Sequence, residues 1–131
     1  TALNDRTNRI LFIQRLLICG IIAAHGWARF LSDAVVPFGV WLDGQGFPMG
    51  PTIAYAITAL EIIGSMVLAA GLLVPYLSLG FAFIYVMGIV MVHAPVGWFV
   101  VGLGRNGMEY SVLLVVCLLG FTYQHLPAKK D

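Results

Sequence analysis

Four long apolar runs, separated by short connections, most constrain what this chain can fold into. They cover residues 10–30, 52–74, 76–95 and 107–126, and each has about 20 residues or more. A helix rises about 1.5 Å per residue and the hydrocarbon core of a bilayer is about 30 Å thick, so about 20 apolar residues cross it once. The runs predict an all-α integral membrane protein, a four-transmembrane-helix bundle that forms a single domain over residues 1–131.

The composition excludes most other classes of protein. Hydrophobic residues make up 60% of the chain and charged residues only 10%, whereas soluble domains have about 25% charged residues. So much apolar surface also excludes a disordered chain. Seven basic and six acidic residues give a net charge of +1 and no basic stripe that could follow a phosphate backbone. We therefore expect a lipid bilayer, and no nucleic acid, among the partners.

The distribution of Lys and Arg predicts the orientation. The two ends of the chain carry Arg6, Arg9, Arg15, Lys129 and Lys130, whereas the long loops carry Arg29 and Arg105. An even number of spans puts both termini on one side, and the positive-inside rule makes that side the cytoplasm. The long loops then face outward, with the aromatic residues Trp41, Phe47, Trp98 and Phe99 at headgroup depth. Pro75 alone separates the second and third runs, which predicts a tight hairpin there.

Four ionisable residues inside the spans are the candidate functional residues: His25, Glu61, His93 and Glu109. An ionisable side chain at mid-bilayer costs about 2.5 to 3.5 kcal/mol on insertion scales, so each needs a partner or a role. Counted along the helices, the two histidines and Glu109 lie within roughly 8 Å of the outer boundary and Glu61 roughly 13 Å below it. We expect the four to converge in one polar pocket in the outer half of the bundle.

Helical spacing indicates which way two of the helices face. In the first helix a stripe with steps of three and four contains Arg15, Ile18, Ile22, His25 and Arg29. This stripe should face protein or water rather than lipid. In the second helix Glu61 shares a stripe with Gly64, Leu68 and Gly71, and small residues there let another helix approach closely.

Several polar residues have simpler explanations. Arg15 either faces the bundle or extends to lipid phosphates at the inner boundary. Arg29 and Arg105 are candidate interfacial anchors or partners of Glu109. Two histidines without further cofactor signature do not predict a haem. No metal site is expected, and Cys19 and Cys117 should pack as small hydrophobic side chains.

The order of these features resembles the DoxX family of small four-helix bacterial and archaeal membrane proteins. The similarity extends from about residue 10 to residue 125. The matching residues are Arg15, His25-Gly26 with Arg29, Gly46-Phe47-Pro48, Leu60-Glu61-Ile62-Ile63-Gly64 with Gly71-Leu72, His93, and Gly107-Met108-Glu109-Tyr110. Pro75 departs from the family, which often has a basic residue at that turn.

The resemblance implies a multi-pass protein of the bacterial or archaeal cytoplasmic (inner) membrane that works with other protein subunits. Family members serve as membrane subunits of thiosulfate:quinone oxidoreductase, so the implied cofactor is a quinone. His25, Arg29, Glu61 and His93 would then bind the quinone head group. The catalytic candidates, which would exchange its protons, are His25, Glu61, His93 and Glu109, since histidine and carboxylate side chains suit that work.

Three functions remain open from the sequence. The first is the membrane subunit of a quinone-linked oxidoreductase, with electrons supplied by a partner. The second is a non-catalytic anchor or assembly subunit, because the chain has no haem, iron-sulfur or flavin motif. The third is a small proton-coupled exporter, which also uses four short helices and one membrane glutamate, but Glu61 in the second helix fits that class poorly.

Overall fold

The computed structural model describes residues 1–101 and 104–127 of the chain. Every regular element in these residues is helical, and no strand is present among them, so the all-α prediction is confirmed for this part of the chain. The chain divides into two compact units, Thr1–Leu72 and a second unit that begins at Leu73.

The first unit is built around a long helix, α1 (Ala2–Leu31). It starts eight residues before the predicted span, where the Thr1 hydroxyl accepts a hydrogen bond from the Asn4 amide and caps the helix. The face of α1 that is buried consists of Arg15, Ile18, Cys19, Ile22 and Gly26. This face confirms most of the predicted stripe, although His25 lies at its exposed edge.

The loop predicted over residues 31–51 contains a helix of its own, α2 (Val35–Gly44). It packs against the next helix, α3 (Gly50–Ala59). Gly39 and Gly50 allow this approach, because a Cβ on Gly39 would overlap the backbone of Pro51. The Asp43 carboxylate accepts a hydrogen bond from the Gly50 amide at 2.7 Å, which closes the turn between the helices.

The second apolar helix, Gly50–Ala69, is interrupted in its middle. After α3 the backbone adopts a π-helical turn over Leu60–Gly64 and then continues as α4 (Ser65–Ala69). The helix ends in a Schellman motif, in which the amide of Leu72 donates to the Val67 carbonyl and that of Gly71 to the Leu68 carbonyl. Gly71 supplies the required positive φ of 85°.

The predicted boundary between the second and third helices is therefore wrong by several residues. The helix ends at Ala69 rather than near Val74, and Pro75 belongs to the first turn of the following helix. A proline has no amide hydrogen, and the first turn of a helix is where that lack leaves no bond unmade. Gly71, not Pro75, is the residue that allows the chain to leave the helix.

The second unit contains α5 (Val74–Gly88), a π-helical turn over Ile89–His93, and α6 (Glu109–Gln124). The helices α5 and α6 pack against each other. Their buried residues are Val74, Ser78, Phe81 and Ala82 on α5 and Ser111, Leu114, Leu118 and Phe121 on α6.

Three helices in the described residues are long and apolar enough to cross a bilayer: Ala2–Leu31, Gly50–Ala69 and Val74–His93. The fourth predicted span corresponds to α6, which has 16 residues and a length of about 24 Å. A fourth crossing and the cytoplasmic position of both termini stay predictions. Lys129 and Lys130, on which the orientation partly rests, lie outside the described residues.

Candidate functional site

Glu61 lies within the π-helical turn of the second apolar helix and is 1% exposed. A π turn widens the helix by one residue, and such turns occur frequently at functional sites. The inward orientation predicted from its stripe is confirmed, since Gly64 and Leu68 on the same face are buried as well. A carboxylate buried in this way requires a partner of opposite charge or several hydrogen bonds.

The partner of Glu61 is Arg29, near the end of α1. Nη1 of Arg29 lies 2.5 Å from Oε1 of Glu61, and the same nitrogen donates to the Thr58 hydroxyl at 3.2 Å. The Thr58 hydroxyl in turn donates to the Ala54 carbonyl at 2.8 Å. Arg29 was expected to be an interfacial anchor or a partner of Glu109; the structure pairs its charge with Glu61, and a position at the membrane interface stays a prediction.

Besides Glu61 and Thr58, Arg29 contacts Phe38 of α2. Its Cζ atom lies 4.8 Å from the centre of the Phe38 ring, within the range of a cation–π interaction. Its side chain remains 24% exposed. A guanidinium has five N–H groups, and the bonds to Glu61 and Thr58 both use Nη1, so the other N–H groups can donate to another acceptor. We call Arg29, Phe38, Thr58 and Glu61 the arginine cluster.

Gly26 brings α1 close to this cluster. A Cβ on Gly26 would lie 3.0 Å from Cβ of Glu61 and 3.0 Å from Cγ1 of Ile62. These distances are tighter than about nine in ten real Cβ contacts, so a larger residue at this position would force Glu61 or Ile62 to shift by a few tenths of an ångström. The buried pair and the glycine are thus parts of one helix contact.

His25 lies one helical turn before Arg29. Its Nδ1 donates to the Ile21 carbonyl at 2.8 Å, and this bond fixes the orientation of the ring. The ring is exposed at the edge of the buried face of α1. Residues four apart in a helix lie one above the other, so His25 and Arg29 are presented side by side.

The other two candidates, His93 and Glu109, lie in the second unit and organise its loop. His93 ends the second π-helical turn, and its Nδ1 donates to the Asn106 carbonyl at 2.9 Å. Oε1 of Glu109 accepts hydrogen bonds from the amides of Val100 and Val101, both at 2.7 Å. The convergence of all four candidates in one pocket stays a prediction.

Arg15 is buried within the first unit, at 7% exposure. Its Cζ lies 5.3 Å from the centre of the Phe12 ring, and a Cβ on Gly71 would lie 3.4 Å from its Nη2. The burial favours the alternative in which Arg15 faces protein at the end of α4. Cys19 is buried and Cys117 half-buried, and both are free thiols.

Sequence reasoning missed two members of the arginine cluster. Thr58 precedes Glu61 by three residues and so shares its helix face, a spacing that could have identified it. Phe38 lies in the segment expected to be a loop, and nothing in the sequence indicates that its ring covers Arg29. Among the described residues, no group of three or more His, Cys, Asp or Glu side chains could hold a metal ion.

A pocket of about 290 Å³ lies near the end of α1, lined by Phe30, Leu31, Asp33, Val35, Val36 and Tyr55. None of these six is among the residues predicted for the site.

Comparison with known proteins identifies one family. The DoxX family model matches residues 10–94 of the chain. The match includes α1 from residue 10 onward, both halves of the second apolar helix and α5, and therefore the whole arginine cluster. No curated protein and no solved structure matches the chain significantly.

Proposed function

We propose, from the premise that the chain belongs to the DoxX family, that it is the membrane subunit of a quinone-linked oxidoreductase complex in the cytoplasmic membrane of a bacterium or archaeon. Electrons would come from a partner subunit, and the chain would bind the quinone head group and supply protons. The observation that carries the proposal is the arginine cluster. It holds a guanidinium in one position and leaves part of it exposed.

The chemistry of a quinone suits such a group. Each of its two carbonyl oxygens accepts hydrogen bonds, and reduction by two electrons is completed by uptake of two protons. Arg29 would donate to one carbonyl oxygen as the charge on that oxygen grows, which stabilises it most in surroundings of low dielectric constant. His25, one turn away, would transfer a proton through Nε2, since histidine side chains commonly act as general acids and bases.

Glu61 has a different role in this proposal from the one expected from the sequence. Its carboxylate is 1% exposed and bonded to Arg29, so it is a positioning residue that fixes the guanidinium. Fixed donors are more effective than mobile ones because no reorganisation is needed during the reaction. His93 and Glu109 lie in the other unit. That they also contribute to the quinone site stays a prediction.

The test is the quinone dependence of turnover in the purified complex, with a short-chain quinone as the probe. Arg29→Lys keeps a positive charge for Glu61 but loses the planar set of donors. We expect the KM for quinone to rise about tenfold, corresponding to about 1.4 kcal/mol of lost binding, with kcat changed less. Arg105→Lys, a change of the same kind in the loop of the second unit, is the matched control and should leave KM unchanged.

Glu61→Gln separates the positioning role from a purely structural one. The amide can still accept a hydrogen bond from Arg29 but carries no charge, so the complex should assemble while turnover per assembled complex falls. Normal turnover in both Glu61→Gln and Arg29→Lys would refute the quinone site.

The second candidate function is a non-catalytic anchor or assembly subunit. It is favoured by the fact that Arg29 and Glu61 neutralise each other and join α1 to the second apolar helix. On this alternative, Arg29→Lys would reduce the amount of complex assembled and leave KM unchanged, so the same experiment distinguishes the two functions.

A further inference from the structure

Arg15 is a buried cation without a counter-charge among the described residues. Its side chain is 7% exposed, and its Nε atom is buried and has no hydrogen-bond partner. Within residues 1–101 and 104–127, no carboxylate or hydroxyl bonds to the guanidinium. A buried charge is costly unless an opposite charge comes within bonding distance. An anion from outside this part of the chain would therefore stabilise Arg15.

Arg29, on the same helix, is the opposite case. It is the more exposed of the two arginines, and the Glu61 carboxylate pairs with it. At the other end of their contact, α1 packs against α4, whose sequence Ser65–Ala69 contains no acidic residue. The packing of these helices thus neutralises one arginine of α1 and leaves the charge of the other unmatched within the first unit.

Two neighbours define the position of the Arg15 guanidinium. Its Cζ lies 5.3 Å from the centre of the Phe12 ring, so the side chain extends toward the beginning of α1, as long side chains in helices do. A Cβ on Gly71 would lie 3.4 Å from Nη2. Phe12 and Gly71 are both exposed, and residue 71 has no side chain to cover Nη2. An anion can therefore approach Nη2 across Gly71.

The end of α4 attracts this guanidinium without neutralising it. The carbonyls of Val67 and Leu68 already accept amide hydrogens in the Schellman motif. The end of a helix also carries a partial negative charge, equivalent to about half an elementary charge. This charge favours a cation beside Gly71 but is smaller than the charge of an arginine.

The length of the second apolar helix gives the depth of the guanidinium. The helix Gly50–Ala69 has 20 residues and a length of about 30 Å, which matches the hydrocarbon core of a bilayer. Gly71 follows its last residue by two positions, so Nη2 of Arg15 lies at the boundary of the core, where lipid phosphates begin. Residues 1–9 are all exposed and include charged side chains, as suits the aqueous side of that boundary.

We propose that Arg15 binds the phosphate of one phospholipid molecule where α1 meets the end of α4. A guanidinium donates parallel hydrogen bonds to two phosphate oxygens. Because Arg15 is packed against protein, it holds this lipid in one place, unlike an arginine that extends along a lipid-facing surface. Leu16 and Leu72, which are 42% and 60% exposed, are adjacent in sequence to Arg15 and Gly71 and contact its acyl chains. The proposal does not depend on the quinone-linked function.

Lipid binding is measured by native mass spectrometry of the purified chain released from maltoside micelles. The probes are phosphatidylglycerol, diacylglycerol with the same acyl chains, and inorganic phosphate. We expect one tightly bound phosphatidylglycerol per chain, and binding of diacylglycerol weaker by at least about tenfold because it has no phosphate. Equal binding of the two lipids would overturn the proposal. Displacement of phosphatidylglycerol by millimolar inorganic phosphate would overturn it as well, since the site would then recognise free phosphate.

Arg15→Met tests whether the guanidinium is the group that binds. The substitution keeps an unbranched side chain beside Phe12 but removes the charge, and we expect the affinity for phosphatidylglycerol to fall about tenfold. Arg9→Met is the matched control, because it removes the same charge from an exposed position of the same helix. It should change the affinity by less than about twofold. Equal losses in the two variants would show general attraction of an anionic lipid to basic residues and would contradict a site at Arg15.

Thermal unfolding of the same proteins separates lost binding from lost folding. In maltoside micelles without phospholipid, Arg15→Met should be at least as stable as the unaltered chain, because it removes a buried charge that lacks a partner. Added phosphatidylglycerol should raise the unfolding midpoint of the unaltered chain and leave that of Arg15→Met unchanged. A variant that is less stable without lipid would show that protein groups already neutralise Arg15. Intact lipid binding together with a changed oligomeric state in Arg15→Met would identify a carboxylate of another chain as the anion. Either result would overturn the proposal.

Discussion

The two units each hold one of the predicted acidic residues, Glu61 and Glu109, but they stabilise the negative charge in different ways. Glu61 is matched by the guanidinium of Arg29, 32 residues away in the sequence. Glu109 is matched by two backbone amides that lie eight and nine residues before it. The first carboxylate therefore stabilises the packing of one helix on another, whereas the second stabilises the fold of one loop.

This difference predicts which part of the structure a substitution of Glu61 or of Glu109 will destabilise. Removal of a charge that joins two helices should lower the stability of the whole unit, because the opposite charge loses its partner in surroundings of low dielectric constant. Removal of a charge bonded to nearby amides should change the loop and leave the helices in place.

The largest effect is expected for Glu61→Leu. The substitution leaves Arg29 without its counter-charge, and we expect the free energy of unfolding to fall by about 2 to 3 kcal/mol. The measurement is unfolding of the purified chain in mixed micelles by titration with a denaturing detergent. Adding Arg29→Met should restore most of the lost stability, since the pair is then replaced by apolar side chains. A double variant as unstable as Glu61→Leu would show that the ion pair is not the source of the effect.

The next effect tests whether the helix contact depends on close approach at Gly26. We expect Gly26→Val to lower the free energy of unfolding by about 1 to 3 kcal/mol, because its side chain would press on Glu61 and Ile62. Gly20 lies in the same helix with no atom within 4 Å of a Cβ built on it. Gly20→Ala is the matched control and should be neutral or slightly stabilising. Equal losses for both variants would contradict a specific contact at Gly26.

The sequence predicted the helices of this fold better than the connections between them. Each apolar run coincides with a helix, although the bounds differ by up to eight residues. The stripe of α1 identified its buried face, because burial repeats with the period of the helix. The Schellman turn at Gly71 was missed, since Pro75 gave a stronger local signal than a single glycine. The helix α2 was missed as well, because its segment was expected to be a loop. Neither π-helical turn has a sequence pattern that distinguishes it from the α-helix around it.

The sequence predicted the burial of Glu61 in the candidate site but not the residue that pairs with it. The depth of Glu61 implied that it needs a partner, and the helical period placed it inward. The helical period does not indicate which cationic side chain from another segment comes within bonding distance of Glu61. Arg29 was therefore expected at the membrane surface or beside Glu109. The partners of Glu109 are backbone amides, which every residue has, and no side-chain pattern could indicate them.

The smallest effect on global stability is expected for Glu109→Gln. The amide oxygen can still accept a hydrogen bond from Val100 or Val101, but the bond loses the contribution of the negative charge, which roughly doubles the strength of such bonds. We expect the free energy of unfolding to change by less than about 1 kcal/mol, because the bonds join the first turn of α6 only to the loop before it and do not join one helix to another. The local effect should be larger: amide hydrogen exchange at Val100 and Val101 should become faster, while exchange in the middle of α6 stays the same.

Glu61→Gln, measured in parallel, should lower global stability more than Glu109→Gln, since it removes the counter-charge of a guanidinium. If Glu109→Gln proved as destabilising as Glu61→Gln, or accelerated exchange throughout α6, then Glu109 would support the packing of the second unit as Glu61 supports that of the first.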